Sequence, residues 1–306
     1  MMSNNVKKMK KMETGGIRPW LFMLPSIAVI AFWIIKPLAQ TLLYTFYKWN
    51  MLPGTEPEYV GIKNFINLFN APQFGQAIIN TLFYIVMMIP FSVIIPLIIA
   101  ALIQHLDKRR QRIYRIFIFL PMIMPPVATG MVFSWLLHQT NGLINHILVA
   151  LGILENGVNF FMTEALAKWV VVFICGWKMI GFASLMFSAA IGGINPEYYE
   201  AAQMDGSGGI RRFIDVTVPL LSPTIMLMLM MSILFSSQWT FSYIDILTSG
   251  GPYGSSTNIY YLIYKFAFGN SNVGASAAAS VMLLLVFGII AVLLQGLSKK
   301  LAFYDN

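Results

Sequence analysis

The sequence predicts an all-α integral membrane protein, one domain with six transmembrane helices. Three observations carry that prediction. Of the 306 residues, 58% are apolar and only 10% charged, with a mean hydropathy of +0.70; a soluble chain of this size cannot bury so much apolar surface. Six stretches are long enough to cross a hydrocarbon layer of about 30 Å, which takes about 20 residues at roughly 1.5 Å each. They fall at Trp20–Tyr44, Ala77–Gln104, Ile116–Leu137, Ala167–Ile191, Pro219–Phe241 and Ala277–Leu297. The third observation is where the basic residues lie. Lys7, Lys8, Lys10, Lys11 and Arg18 precede the first run, and Lys108, Arg109, Arg110, Arg112 and Arg115 follow the second. Arg211 and Arg212 follow the fourth, and Lys299 and Lys300 the sixth. The opposite loops hold only Lys48, Lys63, Lys168 and Lys265. Cytoplasmic loops carry the Lys and Arg excess, so both termini are expected in the cytoplasm.

Taken in chain order, residues 1–19 form a basic tail. The first run is too long for a cleavable signal peptide and no A-x-A-like site follows it, so it reads as a retained anchor. The outward connection Thr45–Gln76 is rich in aromatics and turn formers, suited to short interfacial helices. Pro37, Pro90, Pro96, Pro121, Pro125 and Pro126 interrupt the first three spans. In lipid, such breaks persist only where neighbouring helices or a polar cavity satisfy the freed backbone groups. The fourth run holds the single cysteine, Cys175, which excludes an internal disulfide and a Cys-based metal site and reads as a packing residue.

Lys178 sits about halfway along the same run, and a charge in the membrane is a functional candidate by default. It either faces a pathway for an acidic or hydroxyl-rich ligand or stabilises the bundle through an acceptor, and the sequence leaves both open. Lys36, near an outer end, reads as a snorkelling anchor. The fifth run ends LFSSQWTFSYID, where Ser236, Ser237, Gln238, Trp239 and Tyr243 bring hydrogen-bonding groups and aromatic faces together. That combination suits sugars; packing between helices is the alternative. The outward TSGGPYGSST from Thr248 dictates a turn. Gly274, Ala275, Ala277, Ala278 and Ala279 open the last run with residues that let helices approach closely, and residues 299–306 form a second cytoplasmic tail.

The net charge of +8 follows from this topology and from anionic lipid, which argues against a nucleic-acid partner. The chain has no G-x-x-x-x-G-K-[ST] loop, no H-E-x-x-H and no nucleophile–base pair. It reads as a transport subunit rather than an enzyme, with no metal or cofactor of its own.

Between the fourth and fifth runs lies EYYEAAQMDGSGGIRRFIDVTVP. Asn195-Pro196-Glu197 is a helix start, with a capping side chain, proline at the first helical position and an acid at the positive end of the dipole. Gly206 is the stop, being the residue that enters the left-handed region without penalty. A second helix follows, with Ile210, Phe213, Ile214 and Thr217 on one face, expected to seat it on the bundle.

The order Glu200-Ala201-Ala202-x-x-Asp205-Gly206, with Phe213 and Pro219 downstream, resembles the EAA motif of permease subunits of binding-protein-dependent ABC importers; Ser207 replaces the usual alanine. INPEYYEAA, VPLLSPTI, VGIKNFINLF, NTLFYIV, FLPMIMPPVATGMVFSWLL, NGLIN and IYKFAF are similar to the carbohydrate-uptake branch, and TSGGP to its larger maltose-type permeases. The resemblance covers residues 17–300. It implies a type I ABC importer permease fold over residues 20–298 and a coupling loop at about 192–218. Glu200, Ala201, Ala202, Asp205 and Gly206 would meet the ATPase. Implied partners are a second homologous permease, two cytosolic ATPase subunits that bind ATP and Mg, and an extracytoplasmic solute-binding protein, all at a bacterial-type inner membrane. Lys178, Ser236, Ser237, Gln238, Trp239 and Tyr243 are the candidate pathway residues for a sugar or oligosaccharide, acidic ones included. An ABC permease for a non-sugar solute is the nearer alternative. A secondary transporter would need coupling-ion carboxylates inside spans, and beyond Asp245 at an outer end there are none.

Overall fold

The computed structural model describes residues 17–301; Lys7, Lys8, Lys10 and Lys11 of the basic tail lie outside them, as do residues 302–306. The first span is α1 (Trp20–Tyr44). A short antiparallel pair, β1 (Tyr47–Lys48) and β2 (Glu58–Tyr59), and the helix α2 (Lys63–Asn70) then lead into the second span, α3 (Pro72–Gln104). Next come α4 (Lys108–Ile123), α5 (Pro126–Leu136) and α6 (Leu143–Ala150), followed by α7 (Glu164–Gly192), the most buried span. The connection contains α8 (Pro196–Met204) and α9 (Gly209–Arg212), which continues through a π-helical turn at Phe213–Thr217 to Val218–Leu220. The last elements are α10 (Ser222–Thr248), α11 (Ile259–Tyr264) and α12 (Val273–Leu301).

Among the described residues five helices are long and apolar enough to cross a membrane, and α4 with α5 makes a sixth only as a pair bent by 90°. The third span is therefore not the single rod expected at Ile116–Leu137. Met124, forced out of the helical region by the proline that follows it, sits at φ −65°, ψ 131°, and Pro125 has no N–H to continue the ladder. Pro126 then opens α5. The start of α4 also lies earlier than expected, inside the basic connection, because Asp107 caps it by accepting the Arg110 N–H at 3.1 Å.

Pro37, Pro96 and Pro219 act more gently, and in a common way. The N–H groups of Lys36, Ile95 and Val218 each donate to the carbonyl five residues back, on Ala31, Pro90 and Phe213, and each of these donors immediately precedes a proline. A widened turn relieves the clash between a proline ring and the carbonyl four residues before it, so the spans bend without breaking.

The core lies where α3, α7, α10 and α11 meet, around Tyr84, Val172, Cys175, Tyr243 and Tyr261. Glycine lets α7 approach α4 closely: a Cβ on Gly181 would lie 2.5 Å from the Ile118 carbonyl oxygen of α4. The small-residue start of α12 buries Gly274, Ala277, Ala278 and Ala279 as its composition anticipated, with α2 and α11 against it. None of the side chains of α1 from Trp20 to Tyr44 is buried.

Candidate functional site

At one end of the bundle α8 and α9 form a rigid elbow. Asn195 Oδ1 accepts the Glu197 N–H at 3.1 Å and starts α8. The helix ends with two nested hydrogen bonds: Ser207 N–H donates to the Ala202 carbonyl and Gly206 N–H to that of Gln203, both at 3.0 Å. Gly206 holds φ +75°. A Cβ there would meet nothing within 4 Å, so the backbone conformation, rather than space, requires glycine. Two further contacts fix the angle between the arms. The hydroxyls of Tyr199 and Thr217 lie 3.1 Å apart, and Arg212 Nη1 donates to Gln203 Oε1 at 3.4 Å.

The elbow presents Glu200, Ala201, Asp205 and Gly206 to the outside, with Ala202 half-buried. The expected seating of α9 holds only in part. Thr217 is buried and Phe213 packs on the bundle, but Ile210 is 80% exposed and Ile214 57%, because the helix reaches the span ends only with its C-terminal half. Ile210 stands instead with Met204, 86% exposed, on the outer surface of the elbow.

The candidate pathway residues divide between two faces of α10. Ser236, Ser237 and Tyr243 are buried. Thr240 Oγ1 donates to the Ser236 carbonyl at 2.9 Å, and Asn258 Nδ2 donates to that of Ser237 at 2.7 Å. Gln238 lies on the exposed face, where the rings of Phe235 and Trp239 stack with centroids 6.2 Å apart. Lys178 on α7 is 7% exposed. It donates to the Met124 carbonyl at the C-terminal end of α4, a position where a cation also meets the negative end of the dipole, and its Nζ lies 5.9 Å from the centre of the Tyr243 ring.

On the opposite end, the loop from Thr248 to Asn258 is pinned to α3. Asn80 Nδ2 donates to the carbonyls of Gly254 (3.0 Å) and Thr257 (2.8 Å), Tyr84 Oη to that of Ser256 (3.0 Å), and the Ile259 N–H to Thr81 Oγ1 (3.0 Å). Tyr253 at the tip is 96% exposed.

Residues 98–302, which include the elbow, match the family described as the binding-protein-dependent transport system inner membrane component. The chain belongs to that family. It is a permease component of a transport system, not an enzyme. The sn-glycerol-3-phosphate transport system permease protein UgpA of Pectobacterium atrosepticum is 32% identical over 284 residues, spanning 92% of this chain and 94% of that one. UgpA of Yersinia enterocolitica is 31% identical over 286 residues, 93% and 95% of the two chains. A crystal structure of a bacterial ABC transporter that imports the acidic polysaccharide alginate superposes with a TM-score of 0.83 at 24% identity, covering 97% of this chain and 100% of that one. That likeness shows the ABC importer permease fold.

In this permease the five elbow residues named from the sequence lie at the end of α8 and the turn that follows it. Sequence reasoning missed the partners that hold the site in shape: Tyr199 and Thr217 in the elbow, Met124 for Lys178, and Asn80, Tyr84 and Asn258 at the outer loop. Polar residues inside otherwise apolar runs, such as the asparagine of NTLFYIV, were the available signal for the last group.

Proposed function

We propose that this permease forms half of a pathway for a sugar or oligosaccharide, pairs with a second homologous permease, receives solute from an extracytoplasmic binding protein and is driven by two cytosolic ATPase subunits. The elbow is its ATPase contact. Small Ala201 and Ala202 allow close approach, Glu200 and Asp205 offer charge-assisted bonds, and exposed Met204 and Ile210 supply apolar area for a groove. ATP and Mg belong to the ATPases.

The observation that carries the substrate class is the face of α10 with stacked Phe235 and Trp239 beside exposed Gln238. Rings cover the apolar faces of a sugar, and the carboxamide meets its hydroxyls. No Lys or Arg occurs in α10, and Lys178 is engaged with Met124. Recognition on this face is therefore of hydroxyls, and preference for charge resides in the binding protein. Hydroxyl-rich solutes are also what the similar proteins are named for, sn-glycerol 3-phosphate and alginate.

In proteoliposomes with the matched binding protein, Trp239→Ala is expected to lower uptake about tenfold, the loss of roughly 1–1.5 kcal/mol of stacking, for charged and neutral oligosaccharides alike. Unchanged uptake would remove this face from the pathway. Lys178→Met is expected to reduce uptake of both ligands by the same factor, since it loosens the α4–α5 break rather than a substrate contact. A selective loss of the charged ligand would instead make Lys178 a substrate cation. Both termini are cytoplasmic in this reading. Arg109→Cys in a Cys175→Ser background should then react with an impermeant maleimide only after the membrane is opened, and labelling of intact cells would invert the orientation.

A further inference from the structure

We propose that α4 carries a binding site for the headgroup of an anionic phospholipid of the cytoplasmic leaflet. A cleft of about 580 Å³ runs along α4 between Lys108, Arg112 and Arg115 at one end and Ile116 and Phe119, with Leu185 of α7, at the other. These α4 positions follow one another at helical spacing along a single stripe. Over about 16 Å, the rise of eleven residues, the stripe changes from three cations to apolar side chains. That is the order of a lipid monolayer, phosphate first and acyl chain below.

The cations are available. Among the described residues Asp107 pairs with Arg110 at 3.1 Å and Asp215 with Arg211 at 3.2 Å, and no carboxylate lines the cleft. Arg115 is held in place by neutral groups, its Nη2 donating to Gln104 Oε1 and Gln111 Oε1, both at 3.3 Å. Its Nε is buried and has no hydrogen-bond partner among the described residues. A guanidinium oriented by neutral groups alone, flanked by two cations without a carboxylate partner, suits a phosphodiester. Basic pockets between spans on the cytoplasmic side bind such headgroups.

The cleft also touches the coupling machinery. Lys108 and Gln111 form a wall shared with a second cavity of about 510 Å³, whose other side is Tyr199, Arg212 and Thr217 of the elbow. Lipid occupancy would brace the connection against which the elbow moves. The proposal rests on the cytoplasmic placement given above, which the maleimide experiment reads separately, and not on the identity of the solute.

The test is native mass spectrometry of the purified importer complex, titrated with dioleoylphosphatidylglycerol or dioleoylphosphatidylcholine. Phosphatidylglycerol is expected to bind preferentially, and Arg112→Gln, an exposed position that folding does not depend on, to weaken it about fivefold, as expected for one cation near the surface. Arg112→Gln with Arg115→Gln should weaken it further. Arg109→Gln with Arg110→Gln removes the same charge from the same helix end outside the cleft and should weaken binding clearly less than the Arg112→Gln, Arg115→Gln pair does. Equal loss in that control, or equal binding of the two lipids, would overturn the site. Displacement of phosphatidylglycerol by excess inorganic phosphate would also overturn it, leaving a site for the free anion.

Discussion

In a Gly206→Val protein, uptake is expected to fall to background while the chain still inserts and its spans still pack. A side chain at φ +75° costs about 1–2 kcal/mol, and more when branched at Cβ. The strain has one exit. Leaving the left-handed region breaks the Ser207–Ala202 and Gly206–Gln203 bonds and swings α9 relative to α8. Space is not the obstacle, because a Cβ there meets no neighbour within 4 Å and the elbow lies outside the core. Gly206→Ala should fall between, retaining the elbow at a cost of about 1 kcal/mol. Uptake in proteoliposomes, membrane abundance and co-purification of the ATPase separate the steps. Wild-type uptake by a stably expressed Gly206→Val protein would sink the coupling role.

What could be read from the sequence divides by the distance over which each feature is encoded. Apolar runs and the start and stop of α8 are written within a few residues, since Asn195, Pro196 and Gly206 act on their own neighbours. The 90° break of the third span was announced by Pro125 and Pro126, but its sharpness was not, because prolines interrupt all of the first three spans and only this adjacent pair ends a helix. Positions paired across the fold left no local trace. Lys178 meets a carbonyl 54 residues away, and Asn80 holds a loop 174 and 177 residues further on. A residue type shows that a polar group must be satisfied, not by which partner. The exposed Ile210 and Ile214 illustrate the converse error: periodicity identified a shared face, but whether that face is covered depends on where the short helix crosses the bundle.

Asn258→Leu is expected to destabilise the permease by about 3 kcal/mol or more, and Ser236→Ala by almost nothing, although both remove a buried polar group from the same interior. Asn258 is fully buried and makes three bonds. Its Nδ2 donates to the Ser237 carbonyl at 2.7 Å and to Thr240 Oγ1 at 3.0 Å, and its Oδ1 accepts the Tyr261 N–H at 2.8 Å to start α11. Leucine would leave the Tyr261 N–H without its acceptor away from water, at about 1–3 kcal/mol, and would remove the bonds to the Ser237 carbonyl and Thr240 Oγ1, which keep only the weaker set that Thr240 Oγ1 makes to the Ser236 and Ser237 carbonyls. It would also free the outer loop from the end of α10. A fall in thermal midpoint of about 5–10 °C should follow, with uptake of charged and neutral sugars lost together. The Ser236 hydroxyl, by contrast, has no hydrogen-bond partner among the described residues, so alanine forfeits nothing in the resting fold and the midpoint should stay within about 1 °C. Its effect on uptake is then free of any stability component. A Ser236→Ala protein with an unchanged midpoint and most of its uptake lost would assign the hydroxyl to the translocating solute. If both are retained, the serine is a small residue that lets α10 pack closely in the core. An Asn258→Leu protein that melts with the wild type would contradict the role given to Asn258 in holding the loop.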